Sequence, residues 1–245
     1  MEDEVQDRIL IYRPLTGPYF TFLLLMTSLL LPYFIEVGIL FSLSLGIPPY
    51  LIFGVFASSL FGSCLNFKVA EVESIQPITY FEEVSFFGIR WRIPSVRYGK
   101  RKTLIAVNLG GALIPTAFSI YLLFNLGGSF FSYLKVLVAF LVVALVVNKT
   151  ARPVRGLGIA VPTFVPPLTS ALTAAILYPI YVKTNPFIVA YVAGTLGSLV
   201  GADLLNLDKV SKLGASVVSI GGAGVFDGIY MSGIMSVFLL WLFIL

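Results

Sequence analysis

Two aspartates lie inside apolar segments near the end of the chain. Asp203 follows the segment GTLGSLVGA, and Asp227 follows the segment SIGGAGVF. A carboxylate in a membrane-embedded helix costs about 2.5 to 3.5 kcal/mol, so an acid in such a place indicates a function. Two carboxyl groups that lie close together do not both ionise easily, and they share a proton or bind a cation instead. The two residues therefore predict acid–base chemistry or cation binding within a membrane.

Several glycine, proline and asparagine residues are candidates to line this site. Proline frees a backbone carbonyl, and at membrane depth a freed carbonyl survives only where protein or a wet cavity satisfies it. Small residues also allow close helix packing, and prolines also kink helices without any function, so a structural role stays open for each. The candidate lining residues are Gly201, Gly222, Gly224, Gly228, Asn108, Pro166 and Pro167.

The composition indicates a membrane protein that crosses the bilayer several times. Apolar residues make up 58% of the 245 residues and charged residues only 11%, whereas a soluble domain has about 25% charged residues. A helix needs about 20 residues to cross the hydrocarbon core. The sequence has seven apolar stretches near that length, at about 18–38, 49–67, 103–124, 133–148, 157–180, 186–206 and 217–245.

The basic residues predict the orientation of these seven spans. All lysines and arginines except Lys135 and Lys183 fall on one side of the predicted membrane. By the positive-inside rule the N-terminus is then cytoplasmic and the C-terminus outside, in a multi-pass protein of the cell membrane. The net charge of +4 is explained by this bias together with anionic membrane lipids, so no nucleic-acid partner is predicted.

We therefore predict an all-α integral membrane protein, a single transmembrane domain over residues 1–245. Residues 68–102 form a cytoplasmic β-rich loop, with a small hairpin around Val84 to Ile93 that is either a structural cap or a substrate-docking module. A Gly-rich extended or re-entrant segment leads into the last helix, and residues 186–245 hold the two-aspartate site. With Cys64 as the single cysteine and no histidine, the sequence predicts no disulfide framework, no His-containing metal site and no histidine general base.

Helical geometry bears on how the two acids are presented. Gly194, Gly197 and Gly201 mark a stripe that allows close approach of another helix. Asp203 lies about 200° around the helix from Gly201, so the acid is expected on a different face unless the helix has already unwound at Gly201. Both acids fall at a similar depth near the cytoplasmic side. They either face each other or bind separately to the backbone amides of the glycine segments.

This arrangement resembles the GxGD intramembrane aspartyl proteases, the presenilin and signal peptide peptidase group. The first acid lies near the end of an inward-running helix and the second near the start of the next outward-running helix. In that group the first acid follows a tyrosine and the second follows Gly-x-Gly directly, whereas here Ala202 precedes Asp203 and Val225 and Phe226 separate Gly224 from Asp227. The chain also resembles an uncharacterised family of archaeal and bacterial multi-span membrane proteins with GAD and FDG segments.

The protease resemblance implies that Asp203 and Asp227 are catalytic and hydrolyse peptide bonds of membrane-embedded substrates. One carboxylate takes a proton from water, and the other carboxyl donates to the peptide carbonyl. No metal or cofactor is implied. A proton- or Na⁺-coupled transporter that uses the same acids is the rival, and a non-catalytic membrane assembly subunit is the third reading. The sequence specifies neither the substrate nor the oligomeric state.

Overall fold

The computed structural model describes residues 9–11, 21, 25, 32, 35–86, 89–154, 158–180, 182–210, 217–222 and 228–244. The α-helices are α1 (Ile35–Leu45), α2 (Pro49–Gly62), α3 (Ile114–Asn125), α4 (Phe130–Thr150), α5 (Val165–Leu177), α6 (Pro186–Ser198), α7 (Leu207–Val210) and α8 (Gly228–Ile244). Two π-helices, π1 (Leu109–Leu113) and π2 (Leu199–Asp203), adjoin α3 and α6. The strands are β1 (Ile9–Ile11), β2 (Leu65–Phe86), β3 (Ile89–Asn108), β4 (Arg152–Val154), β5 (Gly158–Ala160) and β6 (Val217–Ile220).

The prediction of an all-α protein with seven transmembrane helices is wrong. Among the described residues, only Phe130–Thr150 and Pro186–Lys209 are long and apolar enough to cross a membrane as single helices. The helices α1 and α2 form a third candidate as a pair, but they are bent by 119° at the break between them. The remaining apolar helices have 10–17 residues, which is fewer than the roughly 20 that a straight span needs.

The error arose because several apolar runs begin as strands. The predicted span 103–124 starts with the last residues of β3, the predicted span 157–180 includes β5, and the predicted span 217–245 starts with β6. A short apolar run has the same hydropathy in a buried strand as in a buried helix, so composition alone does not separate them. Most of the predicted first span, 18–38, lies outside the described residues.

A four-stranded sheet, in the order β1-β2-β3-β6, is the second part of the fold. Strands β2 and β3 form an antiparallel hairpin with a bulge between Lys68 and Ala70, and β6 pairs with β3 in parallel. The predicted small hairpin around Val84 to Ile93 is therefore only the end of a much longer one. Strands β4 and β5 form a separate two-stranded sheet.

The helix α6 lies at the centre of the helical bundle. Its residues Val189, Tyr191 and Val192 are almost completely buried, because α3, α4, α5 and α8 all pack around it. Asn185 fixes the start of α6. Its side-chain oxygen accepts hydrogen bonds from the N–H groups of Phe187 and Ile188 at 3.0 and 3.4 Å, and Pro186 follows at a position where no N–H is needed.

Candidate functional site

Asp203 lies where the long helix that contains α6 becomes irregular. It is the last residue of π2, and the short 3₁₀ turn Leu204–Asn206 follows it directly. Its side chain is half-buried, and Oδ2 accepts a hydrogen bond from the backbone N–H of Gly221 at 3.2 Å. A π-turn inserted into an α-helix is frequent at functional sites, because it redirects the side chains that follow it. The irregularity therefore directs the carboxylate towards the end of strand β6.

The partner of Asp203 is a glycine turn that only glycine forms without strain. Gly221 and Gly222 both have φ of 83°, a conformation that residues with a Cβ rarely adopt. A Cβ on Gly221 would also lie 2.7 Å from the backbone nitrogen of Ala112 in π1. The turn is thus packed directly against π1, and this close approach exposes the Gly221 amide to the carboxylate.

A buried amide network adjoins this turn on the sheet. Asn108, 1% exposed, donates from Nδ2 to the carbonyl of Ser63 at 2.6 Å and to Oδ1 of Asn66 at 3.1 Å. Its Oδ1 accepts from the N–H of Gly111 at 2.7 Å and so caps π1. The hydroxyl of Ser219 lies 2.6 Å from Oδ1 of Asn66. The network therefore connects β2, β3, β6 and π1, the elements that fix the glycine turn.

One donor of this network has no partner among the described residues. These bonds orient the Asn66 amide, since its Oδ1 must face the Nδ2 of Asn108. Its Nδ2 then points away, and it is buried with no hydrogen-bond partner in the described part of the chain. An unsatisfied buried donor costs about 1 to 3 kcal/mol of folding free energy. Asn66 is thus a polar residue of this site that was not predicted from the sequence.

Gly201 has a packing role rather than a lining role. A Cβ at this position would meet Ala144 and Val147 of α4, while its carbonyl accepts from Nδ2 of Asn206 at 3.0 Å and from Nδ2 of Asn148 at 3.3 Å. Gly201 thus contacts α4, whereas Asp203 faces the β6 turn. Both residues belong to π2, so the α-helical angle of 100° per residue on which the prediction rests does not apply between them.

The helices α6 and α8 pack antiparallel through small polar residues. The hydroxyls of Ser198 and Ser232 are 2.9 Å apart, and the Ser232 hydroxyl also donates to the carbonyl of Gly194 at 3.0 Å. One turn earlier on α6, a Cβ on Gly194 would meet the side chain of Ser236, which is one turn later on α8. These contacts fix the register of the two helices next to the site.

The other predicted site residues fall in different places. Gly222 belongs to the turn, and its carbonyl lies 2.6 Å from the hydroxyl of Ser219. Gly228 is the exposed first residue of α8, and Pro166 and Pro167 are buried in the first turn of α5. Asp227 and Gly224 lie outside the described residues. Their roles, like the catalytic role of Asp203, stay predictions.

Residues that the sequence analysis missed are Asn66, Ser219 and Gly221. A signal was available for Asn66, since it is a polar residue four positions after an apolar helix in an apolar context, as Asn108 is in its own segment. No cluster of three or more His, Cys, Asp or Glu residues that could hold a metal is present in the described ranges. The site chemistry among these residues is therefore that of a carboxylate, amides and hydroxyls.

A known protein family matches most of the chain. A family described as "Protein of unknown function (DUF1614)" matches residues 60–239, which include β2, β3, the glycine turn and Asp203. No curated protein and no solved structure matches the chain. The resemblance to intramembrane aspartyl proteases consequently stays a prediction.

Proposed function

The chain belongs to the DUF1614 family, and we propose that it hydrolyses peptide bonds of membrane-embedded substrates with Asp203 and Asp227 as its acid–base pair. The proposal is carried by the register of α6 against α8, described above. Localisation of the chain in a membrane is part of the proposal, supported by two helices long and apolar enough to cross one.

The register of α6 against α8 supports a site that the two acids share. Asp203 comes five residues after Ser198, and Asp227 comes five residues before Ser232. Because the helices are antiparallel and the two serine hydroxyls are 2.9 Å apart, both five-residue steps are directed towards the same end of the helix pair. This supports a shared site rather than two separate acids.

The hydrogen bond from Gly221 supports a division of roles within the proposed pair. A backbone N–H that donates to a carboxyl group stabilises its ionised form. Asp203 is therefore the base that takes a proton from water, and Asp227 is the protonated partner that donates to the peptide carbonyl. Water attacks the carbonyl carbon directly, and no covalent intermediate forms on the protein.

Strand β6 supports a peptide as the substrate. One edge of β6 pairs with β3, and its other edge pairs with no strand among the described residues. An extended peptide that adds to this free edge would satisfy its main-chain hydrogen bonds there, as in other cases of strand addition. Since β6 runs directly into the glycine turn at Asp203, such a peptide would reach the carboxylate in the unwound form that hydrolysis needs.

One observation favours a carrier as the second candidate. The two π-helices, π1 and π2, both lie at the site, and broken helices next to an acid are typical of ion-coupled transporters. In that function Asp203 and Asp227 bind a proton or Na⁺ instead of activating water.

Disulfide trapping tests the geometry of the proposed pair. In a Cys64→Ala background, the double variant Ser198→Cys with Ser232→Cys is expected to oxidise readily, because the two hydroxyls already lie within contact distance. The double variant Asp203→Cys with Asp227→Cys is expected to oxidise as well, whereas Asp208→Cys with Asp227→Cys is not, because residue 208 is more than one turn further on. Electrophoretic mobility without reductant measures the yield. Trapping of the serine pair without trapping of 203 and 227 would contradict the shared site.

Reconstitution separates the two functions. The wild-type chain in proteoliposomes is expected to cleave a reporter transmembrane helix, and a peptide mimic with a hydroxyl in place of the scissile carbonyl is expected to bind it and inhibit. The carrier instead predicts proton- or Na⁺-dependent uptake with no cleavage. If a panel of helical substrates shows neither cleavage nor binding of such mimics, the protease proposal fails.

A further inference from the structure

The hairpin of β2 and β3 extends far beyond the rest of the sheet. Strand β1 pairs with β2 only at residues 65–67, and β6 pairs with β3 only at residues 104–107. Beyond these, residues 72–86 and 89–103 pair with each other alone in the described structure. We call this part the distal ribbon. At about 3.3 Å per residue its 15 residue pairs reach roughly 50 Å. An isolated two-stranded ribbon is marginally stable in water, so a surface that supports it is expected.

One face of the distal ribbon carries more apolar side chains than the other. Residues directly opposite each other in an antiparallel pair share a face, and alternate residues along a strand lie on opposite faces. The pairs Val84↔Trp91 and Glu82↔Ile93 lie on the same face, and Trp91 is 58% exposed. We call this the apolar face; its apolar side chains are Ile78, Tyr80, Val84, Ile89, Trp91 and Ile93, and it also carries Glu82 and Arg97. The opposite face carries the exposed side chains of Phe81, Val96 and Tyr98.

The apolar face continues into the part of the sheet that packs on the bundle. Val72 and Ile105 are on the same face by register, and both contribute to a buried cluster with Ala112 of π1 and Ile220 of β6. The face that is covered by protein at the base is thus left uncovered along the ribbon. A partner that covers it would extend the surface on which the sheet already rests.

The charge of the distal ribbon is positive. Its sequence has six lysines and arginines against three glutamates. Arg92 pairs with Glu83 at 3.0 Å and Lys100 with Glu73 at 3.5 Å. Arg90 and Arg97 form no ion pair with the described side chains. Trp, Tyr and Arg side chains side by side are typical of the membrane–water interface, where aromatic rings sit at the headgroups and cations bind anionic lipid.

At the base of the ribbon, the negative charge of Glu71 is balanced by two lysines. Glu71 lies 2.5 Å from Lys68 and 3.1 Å from Lys102, and the hydrogen bond from Lys68, then that from Lys102, lowers the pKa of Glu71. Because the pKa is lowered, this stabilising contribution is fully present above the ordinary range of a glutamate. It is lost only as the pH falls through the lowered pKa of Glu71. Near the tip, Glu82 and Glu83 balance Arg90 and Arg92, so the excess positive charge lies towards the base of the ribbon, within residues 97–102.

The edges of the ribbon are not suited to strand pairing with a second copy. Pro77 lies opposite Tyr98, and Pro94 lies opposite Phe81. Residue pairs along an antiparallel ladder alternate between pairs that hydrogen-bond to each other and pairs whose backbone groups point outward. Both proline pairs are of the second kind, because a proline in the first kind would remove a hydrogen bond between the strands. Each outer edge therefore lacks one donor near its middle, a device that discourages edge-to-edge association.

We propose that the distal ribbon lies with its apolar face on an anionic lipid surface, with Trp91 at headgroup depth and Arg97, which shares that face, on the lipid headgroups. The proposal does not rest on the proposed hydrolysis. It uses the uncovered apolar face, the excess of cations and the blocked edges, and these three features together favour lipid over a second copy.

Tryptophan fluorescence tests this docking in the full chain. The protein has two tryptophans, so Trp241→Phe leaves Trp91 as the only reporter. In vesicles of phosphatidylcholine mixed with phosphatidylglycerol, the fluorescence of Trp91 is expected to be quenched by lipids with brominated acyl chains. Quenching by acrylamide is expected to be at least about twofold weaker than in vesicles of pure phosphatidylcholine, because each cation near an anionic surface strengthens binding roughly fivefold.

Charge reversal supplies the matched variants. Arg97→Glu is expected to weaken the dependence on phosphatidylglycerol, while Arg152→Glu, the same change at an exposed cation of β4 away from the ribbon, leaves it unchanged. Full quenching of Trp91 by acrylamide in both lipids, with none by brominated lipid, would overturn the proposal. A second copy of the chain would be the partner if protection from acrylamide disappeared when the protein was diluted within the vesicles, whatever the lipid charge. That result would also overturn the proposal.

Discussion

Asp203→Asn and Asp227→Asn are each expected to reduce cleavage of a membrane-embedded reporter by about 10²- to 10⁴-fold, the usual size of a general acid–base contribution. An asparagine at 203 keeps the shape that accepts from Gly221 at 3.2 Å but neither takes a proton from water nor shares one. An asparagine at 227 leaves the carbonyl of the substrate without its acid. The double variant should be no worse than either single variant, because the two groups act as one unit.

The matched control is Asp208→Asn. Asp208 is an exposed acid on α7, five residues beyond Asp203, so its removal changes the charge by the same amount without touching the site. Cleavage by the Asp208 variant should equal that of the wild type. Thermal unfolding in detergent checks that all variants fold. A folded Asp203 variant with wild-type activity would remove this residue from catalysis.

Gly110→Ala is expected to have the largest effect on folding. A Cβ at this position would overlap the carbonyl oxygen of Ser59 and the backbone nitrogen of Ser63, both at the end of α2. These are backbone atoms, so no change of rotamer relieves the overlap, and π1 would have to move away from α2. Because Asn108 caps π1 and Gly221 packs on it, the loss should reach the site. We expect destabilisation of about 3 kcal/mol, or failure to fold.

The control for this substitution is Gly54→Ala. Gly54 lies within α2 and is exposed, and an added methyl group there would meet no atom within 4 Å beyond its chain neighbours and the backbone of its own helix. Alanine there should raise stability by about 0.5 to 1 kcal/mol, because glycine is the poorer helix former. Midpoints of thermal unfolding in the same detergent compare the two variants. Equal stability of Gly110→Ala and the wild type would mean that α2 and π1 are not in contact in the protein.

The arrangement of the site explains why two glycines follow strand β6. Gly221 and Gly222 provide a turn of positive φ, and the first of them donates to Asp203. The sequence left open that the acids bind backbone amides of the glycine segments, and for Asp203 the structure shows this bond. The same bond is compatible with the proposed pair, because a stabilised anion at 203 is what a general base requires.

The candidate site depends on contacts between residues far apart in the chain. The amide of Asn108 meets Asn66 across 42 residues, and Ser219 meets Asn66 across 153. No local pattern in the sequence encodes such contacts, since they follow from the pairing of β3 with both β2 and β6. Asn108 was predicted from its type and apolar surroundings alone. Its role as the cap of π1 became visible only in the structure.

The sequence by itself determined the apolar character of the chain, the isolated polar residues within it and the glycine stripe of α6, because composition and helical spacing are local properties. Only the tertiary structure decided which apolar runs are helices and which are strands, because a buried run has the same hydropathy in either form. It also decided that Asp203 meets Gly221 and that Ser198 meets Ser232. Those contacts depend on the packing of α6 against α8 and of π1 against β6, and such packing is fixed by the whole fold.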